Sequence, residues 1–323
     1  MHRVMGLVLA ALGALLIVGA VLVRTVISGQ VVRYPLSEHL SSELRGTGVS
    51  YFSPTLIRPE TGATIRVTST VAGDPAAGDA STAVWNTATS LFDVTHGQPV
   101  QHSTRRVAFN RRTAELVSCC RARVAGPVIR ESALVGFLWP IGIHQAAYQV
   151  FDTVLSQPRP ARRTGTATVD GITTDVFVEH VPPTQFGVQV LPGSLVGEPG
   201  TAAVKLPEYY TATNTFWVDP VTGAELSTRE DEKVTLRDAA GAQRLLLFSG
   251  VLATTPASIR AAVALDRPGR SELTLLEVVV PLAAGLAGIA ALAAGILLAR
   301  RRRAGGEPGA AGARAAPGPV PAG

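Results

Sequence analysis

The chain lacks the vocabulary of catalysis. Its 323 residues contain no G-x-S-x-G elbow, no phosphate-binding loop, no dinucleotide-binding glycine fingerprint and no H-E-x-x-H pair. The six histidines never fall in pairs at ligand spacing on a helix. His96 and His102 flank Gly97 in a predicted hairpin turn and read as solvated turn residues. Ser194, in the stretch LPGSLVG, lacks the elbow spacing and reads as a loop cap. No catalytic, cofactor-binding or metal-binding residue is therefore assigned, no cofactor is expected, and the chain is expected not to be an enzyme. Lysine is nearly missing as well, at Lys205 and Lys233 only, beside abundant alanine and arginine. That is the bias of a GC-rich genome and carries no mechanism.

Charge is absent from two long runs. Val4 to Val23 is 20 uncharged residues behind Met1, His2 and Arg3, and Val278 to Ala299 is 22 more. Each is long enough to cross a hydrocarbon core about 30 Å thick at about 1.5 Å per residue. Four consecutive arginines, Arg300, Arg301, Arg302 and Arg303, follow the second run directly. Positive flanks stay cytoplasmic because translocating them is costly, so these four and Arg3 are the topology determinants. With an even number of spans, both termini are expected inside. The first run could instead be a cleaved signal peptide. Its apolar stretch exceeds the usual length of about 7–15 residues, and Val18 to Ala20 is a mediocre cleavage site, so an uncleaved anchor is expected.

The remaining charge excludes another class. Two of the 29 Lys and Arg lie at the first span and five follow the second, which leaves 22 in between, against 23 of the 24 acidic residues. The middle is about neutral, and the sequence pI of about 9.7 belongs to the membrane ends. A nucleic-acid partner, which calls for a basic face within the folded domain, is excluded. The expected layout is a cytoplasmic N-terminus (1–3), a first transmembrane helix (4–27), an extracytoplasmic domain (28–277), a second transmembrane helix (278–299) and a disordered cytoplasmic tail (300–323). The tail is Gly, Ala and Pro with almost no bulky apolar residue, so it cannot bury a core. Gly285-x-x-Gly288 and Ala290 to Gly295 suit close helix packing, and through it a homo-oligomer.

The outer domain reads as antiparallel β. Ala63 to Val71 alternates Ile65, Val67, Ser69 and Val71 against polar neighbours, the pattern of a half-buried strand. Asp170-Gly171 between two β-branched runs predicts a two-residue hairpin, and Asn214 to Leu226 predicts strand, turn and strand. Helical signals are scarcer. Thr255 is placed as an N-cap with Pro256 in the first turn, leading to a break at Pro268-Gly269. Ile143 to Leu155 reads as a short helix after Pro140. A weak echo links Trp85–Phe109 with Trp217–Leu236, suggesting two related meanders at 46–130 and 164–251. Gly136 to Asp152, aromatic and nearly uncharged, reads as a hydrophobic plug in the core or as a lipid-facing groove.

Cysteine occurs twice, as adjacent Cys119 and Cys120. Outside the cytoplasm thiols tend to be oxidised, but neighbours on a strand point to opposite faces, so a ring between them requires a tight local turn. A vicinal disulfide, two packed thiols, and redox or metal use remain the alternatives. No third or fourth ligand lies nearby to favour a structural metal.

Several stretches together resemble one family. VVRYPL, YFSP, TSTVAGDPAAGDASTAVWN, RRVAFNRRTAELVSCC, LWPIGIHQAAYQVFD and YYTATNTFWVDPVTGAEL are similar, in order, to the blocks of the actinobacterial PorA porin family, and both anchors are included. Asn110 stands where the family block carries an aspartate. The resemblance implies a cell-envelope protein of the plasma membrane with a porin label, and it brings no catalytic residues. A β-barrel porin spans the bilayer as strands with a lipid-facing side, whereas this chain has two continuous apolar helices, which in one copy enclose no aqueous pore. The expectation is thus an α+β envelope protein, two transmembrane helices flanking antiparallel β-meanders. It would contribute to solute passage or, alternatively, act as a scaffold for a lipid or glycolipid, with the lipid bilayer as its constant partner.

Overall fold

The computed structural model describes residues 2–27, 32–122, 134–136 and 138–300. The chain forms two compact units, one from residues 1–31 with 274–323 and one from residues 32–273.

The first unit is a helix pair. Helix α1 (His2–Leu22) ends in a π-type turn over Val23–Ile27, and helix α3 (Val280–Arg300) follows a π-type turn over Leu275–Val279. Both helices are long and apolar enough to cross a membrane. Glycine brings their backbones together. A Cβ on Gly13 would lie 2.6 Å from the Gly288 carbonyl oxygen, and one on Gly295 would lie 2.6 Å from the Gly6 carbonyl oxygen. Gly285, by contrast, faces open space. Arg3 and Arg300 fall near the helix ends, while Arg301, Arg302 and Arg303 lie outside the described residues.

The second unit is built on one eleven-stranded sheet: β1 (His39–Ser53), β2 (Arg58–Gly73), β3 (Thr82–Asp93), β4 (Gln98–Asn110), β5 (Leu134–Val135), β6 (Ala147–Asp152), β7 (Gln157–Val169), β8 (Ile172–Leu191), β9 (Val204–Val218), β10 (Glu225–Arg237) and β11 (Gln243–Thr254). The order is β4-β3-β2-β1-β11-β10-β9-β8-β7-β6-β5, antiparallel throughout except for the short β5–β6 pairing. Every neighbour in space is thus a neighbour in sequence apart from β1 and β11, which join the two ends of the meander. The free margins also meet. Residues 115–117 bridge Phe109 of β4 through Leu116 and Val135 of β5 through Glu115, and Val117 donates its N–H to the Ala108 carbonyl. The sheet therefore closes on itself as a barrel. About eight strands suffice for side chains to fill a barrel, so eleven leave room inside.

Local chemistry sets the turns. Asp170 and Gly171 take φ of 43° and 86° between the paired Val169 and Ile172, the predicted two-residue hairpin. A second design recurs at Asp93, Asn110, Asp152 and Asp219. In each, the side-chain Oδ1 accepts from backbone N–H groups two or three residues on, and the residue four on takes positive φ: Gly97, Ala114, Ser156 and Gly223. The sequence echo around Trp85 and Trp217 coincides with two of these turns.

Helix α2 (Pro256–Thr274) leaves β11 at once, its Thr255 hydroxyl accepting from the Ser258 N–H as the expected N-cap. Two expectations are corrected. The expected break at Pro268-Gly269 is absent, and α2 runs through Pro268. A proline removes only one ladder bond, and the helix is anchored on both sides: Val263 is buried against Ile172 and Leu226, and Arg270 pairs with Asp219. Ile143 to Leu155 is not a helix. It holds β6, paired residue by residue with β7, and Asp152 ends the strand by opening a turn. Tertiary pairing outweighed local propensity there.

Candidate functional site: the interior of the barrel

Cross-strand register decides which side chains face inward. One row runs across six strands: Leu252, Glu230, Asn214, Glu179, Ala161 and Tyr148. The residues between them in sequence face outward, including the exposed Arg229, Asp231 and Lys233 on β10. The skin of the barrel is thus polar, and its interior mixes apolar and ionisable groups. A barrel embedded in lipid has the reverse outer surface, with an apolar band around it.

The end of the barrel from which α2 departs is closed by aromatic residues. Trp139 stacks against Phe177 at 4.7 Å and meets Phe216 at 5.5 Å and Tyr148 at 5.7 Å, centroid to centroid. Tyr34 lies edge-on to Trp85 and Phe109 and donates from its hydroxyl to the Trp139 carbonyl at 2.8 Å. Burial pushes the Tyr34 hydroxyl far above its ordinary range. Residues 138–148 therefore act as a plug: Trp139, Ile143 and Tyr148 are all buried. Backbone bonds fix it at the base of the barrel, from Ile143 to Pro220 and from Gly142 to Val221.

Beyond the plug the inner wall is charged. Asn214 donates to Glu179 at 2.9 Å, the Tyr210 hydroxyl donates to Glu232 at 2.6 Å, and the Trp139 indole donates to Glu225 at 3.1 Å. Burial raises the Glu179 carboxyl to about 7, against the help of Asn214. Crowding by the surrounding protein likewise raises Glu225 to about 7, although part of its surface stays exposed. Glu230 is raised by burial and then by the nearby Glu232, Glu225 and Glu179. Asp152 is raised by burial despite two backbone N–H donors. Cations also enter this interior: Arg105 lies over the Phe151 ring at 5.3 Å and donates to the Gly136 carbonyl, and Arg159 reaches the Thr184 hydroxyl.

Composition had not singled out any of these inward carboxylates, because alternation hides them among the outward charges of the same strands. Of the residues marked in the sequence, His96 is tied into its turn, its Nδ1 lying 2.6 Å from Asp93, which also accepts from Tyr51 at 2.8 Å. His102 and Ser194 are exposed. Among the described residues no group of three or more His, Cys, Asp or Glu could hold a metal ion. The Cys119 and Cys120 sulfurs lie within bonding distance of one another in a tight turn, where Cys120 takes a φ of 58°. The Cys120 carbonyl accepts from Arg106 of β4, so the turn is pinned against the seam where the barrel closes.

The chain thus combines a polar-skinned barrel with a charged interior and two helices long and apolar enough to cross a membrane, the build of a membrane-associated protein. Residues 5–297 match the family model for Porin PorA, nearly the whole chain, and the protein belongs to that family. No curated protein matches the sequence.

Proposed function

We propose that this PorA-family protein contributes to the passage of small hydrophilic solutes through the cell envelope, with the barrel interior as the compartment that receives them. The observation that carries this reading is the charged inner wall, Glu179, Glu225, Glu230 and Glu232, inside a closed ring of strands with a polar skin. In this reading both termini are cytoplasmic and residues 28–277 lie outside. The two helices of one chain enclose no aqueous route, so passage across the bilayer requires several copies. The small, open face at Gly285 of α3 supports such an association.

A second reading is a scaffold that binds or transfers an envelope lipid or glycolipid. It is favoured by the turns at the end of the barrel away from α2, which expose Leu56, Ile57, Val94 and Val154 to solvent. The experiment is the purified full chain in planar bilayers. Stepwise conductance is expected under the first reading. Silent bilayers, together with a lipid that co-purifies and is identified by mass spectrometry, would replace it with the second.

A further inference from the structure

The inner wall over β6 to β9 contains buried polar atoms that the protein leaves without partners. Asp152 is 6 % exposed, Glu179 2 % and Asn214 9 %. Among the described residues, Asp152 Oδ2, Glu179 Oε1, Asn214 Oδ1 and Arg159 Nε make no hydrogen bond. The four side chains belong together. Glu179 and Asn214 are bonded across β8 and β9. Asp152 and Arg159 both act electrostatically on Glu179 from the adjoining strands. Buried polar groups are almost always satisfied, so a cluster of bare atoms on one wall marks a place where something else supplies the bonds.

The chemistry of the set narrows what that is. Asp152 Oδ2 and Asn214 Oδ1 accept, Arg159 Nε donates from a permanent cation, and Glu179 Oε1 accepts or, when its carboxyl is protonated, donates. A bare cation would satisfy the oxygens and face Arg159 with like charge. A bare anion would do the opposite against Asp152 and Glu179. A hydroxyl both donates and accepts, so a group carrying several hydroxyls meets all four atoms. The interior beside the set is accessible, because Glu230, which pairs with Asn214 across β10 and β9 on the same inward row, is only half-buried. We propose that Asp152, Arg159, Glu179 and Asn214 form a binding site for a hydroxyl-rich group, a sugar ring or polyol, free or carried as a lipid headgroup. This rests on the reading of the interior as a receiving compartment and names the ligand class it takes.

The test is thermal unfolding of the full chain purified in lauryl dimethylamine oxide, a detergent without sugar. Maltose is the free-sugar probe, and glucosyl-diacylglycerol in phosphatidylcholine nanodiscs is the lipid-borne one. The expected result is a saturable rise of the midpoint with at least one probe, and none with phosphatidylcholine alone. A response to maltose alone assigns a free sugar, and a response to the glycolipid alone assigns a headgroup. Glu179→Leu should raise the apparent Kd about tenfold, the size of one lost buried hydrogen bond, while Glu179→Gln recovers most of it. Arg159→Met serves in the same way should Glu179→Leu fail to fold. Asp231→Asn, outward on β10, should leave the response unchanged. No saturable shift with either probe, or a shift that survives unchanged in the folded wall variants, overturns the site. Conductance measured on the same preparation separates the two ideas. Conductance without a sugar response removes this inference alone, and a sugar response without conductance removes solute passage alone.

Discussion

Glu179 sits between Ala161 and Asn214 with one carboxylate oxygen bonded and the other bare, and this asymmetry has a consequence for pH. Its carboxyl rises from an ordinary 4.5 to about 7 because burial penalises the charged form. The folded chain therefore holds a proton that the unfolded chain releases, so stability is greatest below about pH 4.5 and falls as pH rises through 7. For this nearly buried group the loss is on the order of 3 kcal/mol. Urea midpoints should drop between pH 5 and pH 8, and Glu179→Gln should flatten that drop; an equal drop in the variant would assign the dependence elsewhere. Asp93 works in the opposite sense. Burial pushes its carboxyl up, but hydrogen bonds from His96 and Tyr51 outweigh this and hold it low, so its contribution is lost only as pH falls through that lowered range. The paired cysteines make a second prediction at this scale. Cys119 and Cys120 should resist thiol reagents, and the intact mass of the unreduced protein should be two hydrogens short. A ring between neighbours closes almost no chain loop, so replacing both with serine should change the unfolding midpoint little. Ready labelling of both thiols without reductant would retire the vicinal disulfide.

Among the elements, the helix pair offers the sharpest contrast. Gly13 of α1 and Gly288 of α3 approach so closely that an added side chain would strike backbone, whereas Gly285, three residues before Gly288 on α3, faces open space. Gly13→Leu should therefore lower the unfolding midpoint of the helix pair, at the roughly 1–3 kcal/mol of an overpacked contact. Gly285→Leu should leave the midpoint of the monomer unchanged. Equal effects from the two would place the contact elsewhere. The strands show why some elements were readable and others were not. Asp170-Gly171 announced its hairpin because both positions must take positive φ, and Thr255 announced α2 because a hydroxyl there satisfies an orphan N–H. The stretch around Tyr148 and Phe151 carries no such local compulsion. It became β6 because β7 and the aromatic plug offered it a partner and a place to bury its rings.

For the whole molecule the topology proposal is testable directly. A cysteine placed at Ala310 on a Cys-free background should stay unlabelled by impermeant reagent in intact cells and react once the membrane is opened. Labelling in intact cells would reverse the orientation. That two apolar helices frame a β-rich domain could be read from the chain alone, because span length and strand alternation are properties of consecutive residues. So could PorA membership, since its blocks run in order along the sequence. The closure of the sheet could not. It depends on β1 meeting β11 across some 200 residues and on residues 115–117 joining β4 to β5, pairings that no local pattern encodes. The inner wall followed from that closure. Asp152, Glu179 and Asn214 are ordinary polar residues along the chain, and they became a buried constellation only when register turned them to one face and curvature brought that face inside.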